Sequence, residues 1–486
     1  MENALPLNEL LNFCMKVAVI GAGPAGLTAA YQLVKAGVAV EVFEAGSNVG
    51  GLAQTLRLWN QRVDLGPHRF YSKDRRVNDL WLEVVGRDYS LVNRLTRVLF
   101  KNRCFHYPLR PWNAFWNLGL LSAVECLLSY LKEKVAPTPQ DDTFETWLVR
   151  RFGRRLFNIF FKTYSEKLWG ISCRDLDSDF AAQRIRRMSL GEAIKSAFVH
   201  DKANKHLTLV DQFAYPHGGT GMVYERMSES VARHGGRVHL GTSVKRVIVE
   251  HGQATGLEIN SGASSHFDHI ISTMPLTLLV SSMADTPEAA RQAAGALAFR
   301  NTILVYLKVE APFLFPDNWI YIHSPELKLG RITNVRNWVP QLYGNETSSI
   351  LALEFWCYDD DPIWSSSDEK LAELAKDELR RTGLSGKALV ADAHVRRIKR
   401  CYPVYRVGYK DHLKVIEGFV RSIRGLQVIG RCGAFKYNNQ DHSILMGLLA
   451  AENVLRGAGH NLWEINTDYS EHYESANVTE TGLTPN

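Results

Sequence analysis

Three glycines near the N-terminus follow one another at intervals of two and three residues. They come directly after the β-branched run at residues 16–20, which is typical of a buried parallel strand. In the segment Gly21-Ala22-Gly23-Pro24-Ala25-Gly26, the first glycine allows a tight turn, the second lets the backbone approach a pyrophosphate, and the third lets helix and strand pack closely. A helix is predicted from Leu27 to Lys35, with its N-terminus facing the phosphates of a bound dinucleotide.

A carboxylate completes this unit. Residues 38–43 have the pattern of a second strand, and Glu44 follows them, about 20 residues after Gly21. A carboxylate at this point can accept hydrogen bonds from ribose hydroxyls. Strand, glycines, helix, strand and acid in this order predict a dinucleotide-binding fold, and the unit alone suits NAD as well as FAD.

A second glycine pair lies just beyond the acid. In Gly46-Ser47-Asn48-Val49-Gly50-Gly51-Leu52-Ala53, another backbone segment could pass close to the ribose and pyrophosphate. The combined pattern resembles the extended fingerprint of the two-domain FAD family that includes amine oxidases, protoporphyrinogen oxidase, phytoene desaturases and UDP-galactopyranose mutase. The resemblance implies FAD as the cofactor. In this part of the chain it implies contacts from Gly21, Gly23, Pro24, Ala25, Gly26, Glu44, Ala45, Gly50, Gly51 and Leu52.

The segment Asp64-Leu65-Gly66-Pro67-His68-Arg69-Phe70, with the run at 105–109 beyond it, resembles the corresponding stretch of the mutase. The resemblance implies that Gly66, Pro67 and His68 lie beside the flavin. A simpler alternative is that His68 is a turn histidine bonded to the backbone.

Near the C-terminus, a strand-like run ends in Gly430-Arg431 and leads through a loop into a helix that starts near His442. This arrangement is similar to the family's closing FAD motif. The start of such a helix would place its positive dipole end near the flavin pyrimidine, which favours an anionic reduced flavin. The implied contacts come from Gly430, Arg431, Asp441, His442, Ser443 and Ile444.

The middle of the chain contains segments that fit a return to the cofactor domain. In the family, the backbone at the position of Val244 meets the adenine, and a later strand at 269–275 brings Met274 close to FAD. Strand-like runs at 302–309, 319–323 and 350–356 predict a further sheet that faces the flavin.

We therefore expect an α/β protein with a Rossmann-like FAD-binding domain, an inserted helical region and a sheet-containing substrate domain. The predicted boundaries are 15–70, 215–275 and 404–460 for the discontinuous FAD-binding domain, 71–214 for a mostly helical insertion, 276–403 for a substrate domain with an antiparallel sheet, and 1–14 and 470–486 for flexible termini.

The substrate site is expected around three residues. In the mutase, two arginines hold the UDP diphosphate and tyrosines also contact phosphate. The segment at 329–334 resembles the one that bears one of these arginines, and this implies a role for Arg331. Tyr437 matches a phosphate tyrosine, and Tyr402 lies in a similar Tyr-Pro step. His68, Arg331 and Tyr437 are thus predicted as catalytic residues on the substrate side of the flavin.

The second arginine would fall within residues 164–170, where this chain has Glu166. A carboxylate facing a diphosphate removes a charge-assisted pair and adds repulsion, and Lys167 does not replace a bidentate fork. This prediction puts mutase activity in doubt. The alternative is that Glu166 pairs with Lys162 or Lys167 on a helix surface.

The segment around Glu166 resembles loosely defined FAD-dependent oxidoreductases, and hydride transfer from an unidentified substrate to flavin N5 is the expected function. A non-redox sugar isomerase that uses reduced FAD is the alternative, and a non-catalytic flavin-binding protein is a third. Arg184, Arg186, Arg187 and Arg331 favour an anionic substrate, although basic residues after a loop can also form a solvated face.

Composition excludes some classes of protein. The 486 residues are 45% hydrophobic and 22% charged, with a net charge of +6, and the basic residues are dispersed, which argues against nucleic-acid binding. Seven cysteines without a CxxC pair predict no metal site and no disulfide framework. The absence of a secretory pattern predicts a cytoplasmic protein.

The apolar stretch at 118–131 contains Glu125 and is too short to span a bilayer, so a buried or lid helix is favoured over peripheral membrane contact. The oligomeric state is left open.

Overall fold

The computed structural model describes residues 15–107, 109–181, 212–465 and 476–485. Its strands are β1 (Lys16–Ile20), β2 (Ala39–Phe43), β3 (Thr55–Leu58), β4 (Gln61–Asp64), β5 (Tyr89–Asn93), β6 (Thr96–Phe100), β7 (Arg103–His106), β8 (Gln212–Pro216), β9 (Arg237–His239), β10 (Val244–Glu250), β11 (Gln253–Ile259), β12 (Ser264–His266), β13 (His269–Ser272), β14 (Phe299–Val309), β15 (Trp319–Ile322), β16 (Arg331–Asn334), β17 (Ser349–Cys357), β18 (Val390–Pro403), β19 (Leu426–Val428), β20 (Ala476–Thr479) and β21 (Gly482–Pro485).

Its helices are α1 (Pro24–Lys35), α2 (Arg75–Val85), α3 (Pro111–Leu118), α4 (Leu120–Val135), α5 (Phe144–Phe152), α6 (Arg154–Phe157), α7 (Thr163–Trp169), α8 (Gly221–Arg233), α9 (Leu276–Ser282), α10 (Glu288–Ala296), α11 (Asp368–Thr382), α12 (Tyr409–Ser422) and α13 (Gln440–Arg456). A π-helical turn at Asn158–Lys162 joins α6 to α7.

A parallel sheet carries the N-terminal glycine motif. Its strand order is β19-β13-β1-β2-β9, and β1 pairs in parallel with both β13 and β2. Val17, Ala18 and Val19 of β1 are fully buried, as expected for a central strand covered on both faces. The chain passes from β1 to β2 on one side and returns to β13 on the other. The carboxyl end of β1 is therefore a topological switch point, where open α/β sheets bind ligands.

Two helices pack against each other beside this sheet. At Gly447 of α13, an added Cβ would lie 2.5 Å from the Ala25 carbonyl oxygen and 2.7 Å from Thr28 Cβ of α1. At Gly26, an added Cβ would lie 2.0 Å from the Gly21 carbonyl oxygen. Because no side chain separates these backbones, α1 and α13 approach closely beside the strand ends.

A seven-stranded sheet forms the second layer of strands. Its order is β18-β14-β17-β16-β15-β6-β7, and neighbouring strands are antiparallel except that β15 pairs in parallel with β6. The three strand-like runs predicted from the sequence fall in β14, β15 and β17. The segment at 71–214, predicted to be mostly helical, also supplies β5, β6 and β7, because β6 and β7 complete the edge of this sheet and β5 pairs with β8.

Helices α3 to α7 lie beyond this sheet. The interpretation of residues 118–131 as a buried helix is wrong, since Leu121 is 82% exposed and other apolar side chains of α4 also face outward. No single helix in the described ranges is long and apolar enough to cross a bilayer; α3 and α4 together reach the required length and composition, but they are bent by 119° at the break between them.

A hairpin lies in the C-terminal segment. Within the stretch 470–486, which the sequence predicts to be flexible, β20 and β21 pair antiparallel, and the flexibility itself stays a prediction. The Tyr89 hydroxyl donates to the Thr479 carbonyl and ties this hairpin to the first domain. Residues 1–14, 466–475 and 486 lie outside the described residues.

The contact between α1 and α13 makes a prediction about stability. We expect Gly447→Ala to lower the free energy of unfolding by about 1–3 kcal/mol, because the new methyl group meets backbone that cannot move aside. Gly418 of α12 is the matched control, since an added Cβ there meets no atom within 4 Å. Gly418→Ala should raise stability by up to about 1 kcal/mol through helix propensity. Denaturant unfolding of both variants measures the difference, and equal effects would contradict the close packing.

Candidate functional site

The candidate cofactor site begins with bare backbone. Gly21 has φ +97°, and an added Cβ would lie 2.1 Å from Thr273 Oγ1. Gly51 has φ +54°, and an added Cβ would lie 3.1 Å from the Cα of Gly23. The two glycine segments therefore pass each other with no side chain between them, and they leave a surface of backbone at the carboxyl end of β1.

Glu44 lies at the centre of the neighbouring strand ends. Its Oε2 accepts from the Ala22 N–H at 2.8 Å, and its Oε1 accepts from the Gly46 N–H at 2.8 Å. The Thr242 N–H donates to the Glu44 carbonyl at 2.8 Å, and β10 begins two residues later at the buried Val244. Glu44, which is predicted to bind the ribose, and Val244, which is predicted to meet the adenine, are thus brought together.

The start of α13 is held from two sides. The Tyr224 hydroxyl donates to Gln440 Oε1 at 2.9 Å, and Gln440 Nε2 donates to the Arg69 carbonyl at 2.9 Å. Within the described part of the chain no side chain caps α13 at Asn439, and none caps α1 at Gly23. Both helix starts therefore keep N–H groups and a positive dipole end for an anionic ligand.

His68 is a neutral, half-buried imidazole. Its Nδ1 lies 3.1 Å from the carbonyl oxygen of Gly66, which can only accept a hydrogen bond. Nδ1 therefore carries the proton in this contact, and Nε2 is left as an acceptor. Burial, reinforced by the charges of Arg331 and Arg431, lowers the pKa of His68 to about 4. The contact matches the alternative of a backbone-bonded turn histidine, while the two arginines place the ring beside the predicted site.

A buried polar network supports the His68 segment. Asp64 accepts from Thr55 Oγ1 at 2.6 Å, from the Tyr215 hydroxyl at 2.7 Å and from the Thr220 N–H at 3.2 Å. Burial raises the pKa of Asp64 to about 6 although these donors favour its charged form. Thr220 Oγ1 in turn donates to the His68 carbonyl at 2.9 Å. The network fixes the backbone that presents the imidazole.

Arg331 forms a buried, bidentate ion pair. Its Nε and Nη2 donate to the two carboxylate oxygens of Glu354 at 2.6 Å each, and Glu354 is only 2% exposed. The two residues are direct partners in the antiparallel register of β16 and β17. Burial works against the charge on the guanidinium, but the carboxylate outweighs it and holds the pKa of Arg331 above its usual value. The pair is therefore neutral as a unit.

Tyr437 lies in a stack of aromatic rings. It packs on Tyr402 with ring centroids 5.4 Å apart and meets Trp169 edge to face at 5.6 Å. The guanidinium of Arg431 lies 4.2 Å from the Tyr437 centroid, and it donates to two backbone carbonyls. Burial raises the pKa of Tyr402, so this phenol stays protonated at neutral pH.

A second aromatic group adjoins the first. Tyr164 meets Tyr321 at 5.3 Å and Trp356 at 5.6 Å, and it stacks on His323 at 4.9 Å. Trp356 also meets Tyr402 at 6.4 Å, which joins the two groups. We call the combined set the aromatic cluster. Its members are Tyr164, Trp169, Tyr321, Trp356, Tyr402 and Tyr437.

The sequence interpretation missed most of these residues. Glu354 and Trp356 are two residues apart in one predicted strand, so their side chains lie on the same face of the sheet. This spacing could have placed both beside the site. Nothing in the local sequence marks Tyr164 or Tyr321, because their meeting depends on how α7 packs against β15.

The prediction that Glu166 opposes a substrate phosphate loses its basis. Glu166 Oε1 accepts from the Cys173 N–H at 3.3 Å. Glu166 lies two residues after Tyr164, about 200° further around the helix, so the two side chains leave α7 on different faces. The alternative of pairing with Lys162 or Lys167 is wrong as well, since the Lys167 ammonium is bound elsewhere and the described residues include no ion pair between Glu166 and Lys162.

Lys167 joins α7 to the turn between β15 and β16. Its ammonium donates to the carbonyls of Ile322, Ser324 and Leu329 at 3.1, 2.7 and 3.2 Å. Burial lowers the pKa of Lys167 to about 8. Lys167 thereby fixes the position of Tyr164, on α7, relative to Tyr321 on β15 and Arg331 on β16. Lys167 is a positioning residue.

The other predicted cofactor residues lie at the ends of the same elements. Gly430 has φ +82°, and an added Cβ would lie 3.2 Å from Ala25 Cβ. Arg184, Arg186 and Arg187 lie outside the described residues. The remaining predicted contacts are Pro24 at the start of α1, Ala45, Gly50 and Leu52 after β2, Pro67 next to His68, Met274 after β13, and Asp441, His442, Ser443 and Ile444 in the first turns of α13. Their contacts with a cofactor remain predictions.

A family model for flavin containing amine oxidoreductases matches residues 24–410. The chain therefore belongs to this family of flavoenzymes, and its cofactor is FAD. An L-amino acid oxidase from Crotalus durissus cumanensis is 46% identical over 109 residues. That match covers 20% of this chain and spans only 22% of the relative's length.

Solved structures share the fold. A reduced UDP-galactopyranose mutase has a TM-score of 0.83 at 22% identity, over 94% of this chain and 98% of that one. A putative protoporphyrinogen oxidase from Exiguobacterium sp. 255-15 has a TM-score of 0.70 at 17% identity, over 91% and 99%. The predicted α/β two-domain flavoprotein fold is confirmed.

The residues present fit FAD. A Cβ at position 51 would lie only 3.1 Å from the Gly23 Cα, so two bare backbone segments face each other at the uncapped start of α1, as a pyrophosphate requires. Glu44 is placed for the ribose, and the start of α13 offers N–H groups beside the Gly430 turn. When bound, FAD supplies a two-electron acceptor at this site.

The Arg331–Glu354 ion pair leads to a prediction about stability. We expect Glu354→Gln to lower the free energy of unfolding of the FAD-saturated protein by about 3–5 kcal/mol, because it leaves a buried cation without its partner. The control is the pair Arg246–Glu258, at 3.6 Å, whose arginine is exposed and whose glutamate is half-buried, and Glu258→Gln should change stability by less than about 1 kcal/mol. Denaturant unfolding measures both, and equal losses would contradict the buried pair.

The lowered pKa of His68 predicts how the stability of the protein depends on pH. Its pKa is about 4 in the folded protein and near 6.5 when unfolded, so only the unfolded chain binds the proton between these values. Stability therefore falls as pH drops from 6.5 to 4, by up to about 3 kcal/mol from this group. His68→Gln should flatten that slope, whereas the same change at the exposed His266 should not. Unfolding measured across this range decides, and an unchanged slope would mean that His68 is protonated in the native state.

Proposed function

We propose that this protein is an FAD-dependent oxidoreductase whose substrate lies against the aromatic cluster and gives up a hydride to the flavin. One observation carries the proposal: the buried guanidinium among these rings is neutralised by Glu354. A site of aromatic faces and a neutral ion pair suits an apolar or weakly charged carbon skeleton.

The chain's own residues have separate tasks in this proposal. The aromatic cluster orients the substrate and excludes water. The neutral imidazole of His68 presents an acceptor at Nε2, which can hold a donor group of the substrate without adding charge. Arg431, bound to backbone carbonyls and stacked on Tyr437, keeps a positive charge near the start of α13, where negative charge on the cofactor is favoured.

A second candidate is a mutase-like sugar isomerase. It is favoured by the fold similarity to the reduced mutase, with its TM-score of 0.83 over nearly the whole of both chains. Glu354 occupies the Nε/Nη2 edge of the Arg331 guanidinium and neutralises its charge, so a nucleotide diphosphate would meet the other edge of the guanidinium without the attraction of a net positive charge. Since Glu166 faces Cys173, the charge at that position no longer decides between the two functions.

Anaerobic mixing with candidate reductants tests the proposal. The panel consists of L-amino acids, putrescine and protoporphyrinogen, the substrates in the names of an oxidase relative and of structural neighbours. We expect at least one to bleach the visible flavin absorbance within seconds to minutes and Tyr437→Ala to slow this by about tenfold or more, because ring packing orients the substrate. Tyr343→Ala, at a ring stacked on Arg336 outside the cluster, is the control.

The same preparation tests the alternative. Dithionite-reduced protein is incubated with UDP-galactopyranose, and the formation of UDP-galactofuranose is followed by chromatography. Rapid interconversion without bleaching by any panel member would overturn the redox proposal in favour of the isomerase.

A further inference from the structure

Helices α3 and α4 turn a broad set of apolar side chains toward solvent. Trp116 is 75% exposed, Leu121 82% and Leu128 60%. We call the set the apolar face. Its members are Trp112, Trp116, Leu120, Leu121, Val124, Leu127, Leu128, Leu131 and Val135. Nine exposed apolar side chains on two successive helices mark a site of association.

The outward orientation of α4 is fixed by its packing. Leu121, Val124, Leu128, Leu131 and Val135 recur every three or four residues and so form one stripe along the helix. The opposite side holds the buried residues Cys126 and Glu133. At Gly153, with φ +80°, an added Cβ would lie 2.7 Å from the Tyr130 backbone nitrogen, so α4 sits directly on the turn before α6. Rotating the stripe inward would break this close contact.

The charges around the apolar face are positive. Exposed cations border it, and the two acids between residues 101 and 135 are already engaged. Glu125 pairs with Arg155 at 2.7 Å, and the buried Glu133 accepts from Thr138 at 2.9 Å. The bordering cations are Lys101, Arg103, Arg110, Lys132 and Lys134.

We propose that the apolar face is a docking surface for an anionic membrane, with α3 and α4 lying flat in the headgroup region. The 119° bend between the helices lets both lie along a surface instead of crossing it. Tryptophan side chains suit the boundary between acyl chains and water, and the cations complement acidic headgroups. This surface docking is independent of the proposed redox activity.

A second copy of the chain fits the same surface less well. A two-fold dimer interface places each patch against its own image. The five bordering cations would then face an identical set, with no free acid of the same segment to compensate. An anionic lipid surface has the opposite charge and needs no matching shape, so the charge pattern favours it.

Vesicle flotation with the FAD-loaded protein tests the proposal. We expect binding to vesicles that contain phosphatidylglycerol and much weaker binding to pure phosphatidylcholine, with high salt reducing the former. Leu121→Glu should weaken binding by about tenfold or more, because it removes apolar burial and adds repulsion. Replacing Lys132 and Lys134 together by alanine should weaken binding to the acidic vesicles alone.

Leu389→Glu is the matched control. Leu389 is 70% exposed and precedes β18, at the edge of the seven-stranded sheet opposite to β7, so its replacement should leave vesicle binding unchanged. Retained flavin absorbance and melting temperature show that the variants fold. Absence of binding to both kinds of vesicle would overturn the proposal, as would binding that Leu121→Glu leaves intact. A dimer in light scattering that Leu121→Glu dissociates, without vesicle binding, would assign the face to a second copy.

Discussion

Contact between backbones without side chains is the constraint on which the first domain depends. Gly23 faces Gly51 at the end of β1, Gly26 rests on the Gly21 carbonyl, and Gly447 rests on Ala25. These contacts draw three distant parts of the chain to one point. A side chain at Gly26 or Gly447 would push α1 or α13 away from the strand ends and separate the two uncapped helix starts that the cofactor needs.

Arg331, Lys167 and Arg431 in the second half of the site each have a partner within the protein. Glu354 neutralises Arg331, backbone carbonyls receive Lys167 and Arg431, and burial keeps His68 uncharged at neutral pH. These partners offset part of the desolvation penalty that the three cations incur beside the aromatic rings. The same ions hold α7 against β15 and β16, so positioning and electrostatics depend on the same contacts.

The sequence allowed the cofactor half to be predicted, because its signals are local. Gly21 to Glu44 lie within one βαβ unit, and each glycine has a single geometric reason to be there. The substrate half depends on contacts between distant residues. Arg331 could be located, but its pairing with Glu354 follows from the register of β16 against β17. Glu166 was misjudged because helix phase, which the packing of α7 decides, turns it toward Cys173. The apolar stretch in α4 has the same pattern whether its stripe faces inward or outward.

The order of strands in the parallel sheet has a consequence for synthesis of the chain. β19 forms one edge of that sheet, and α13 closes against α1 with residues up to Arg456. The N-terminal βαβ unit emerges from the ribosome long before either element exists. During most of translation it lacks the neighbour that fixes α1, and pairings this distant in sequence form slowly. The nascent protein therefore completes its FAD site only after α13 has been synthesised, so cofactor supply from that stage onward influences how much active protein accumulates.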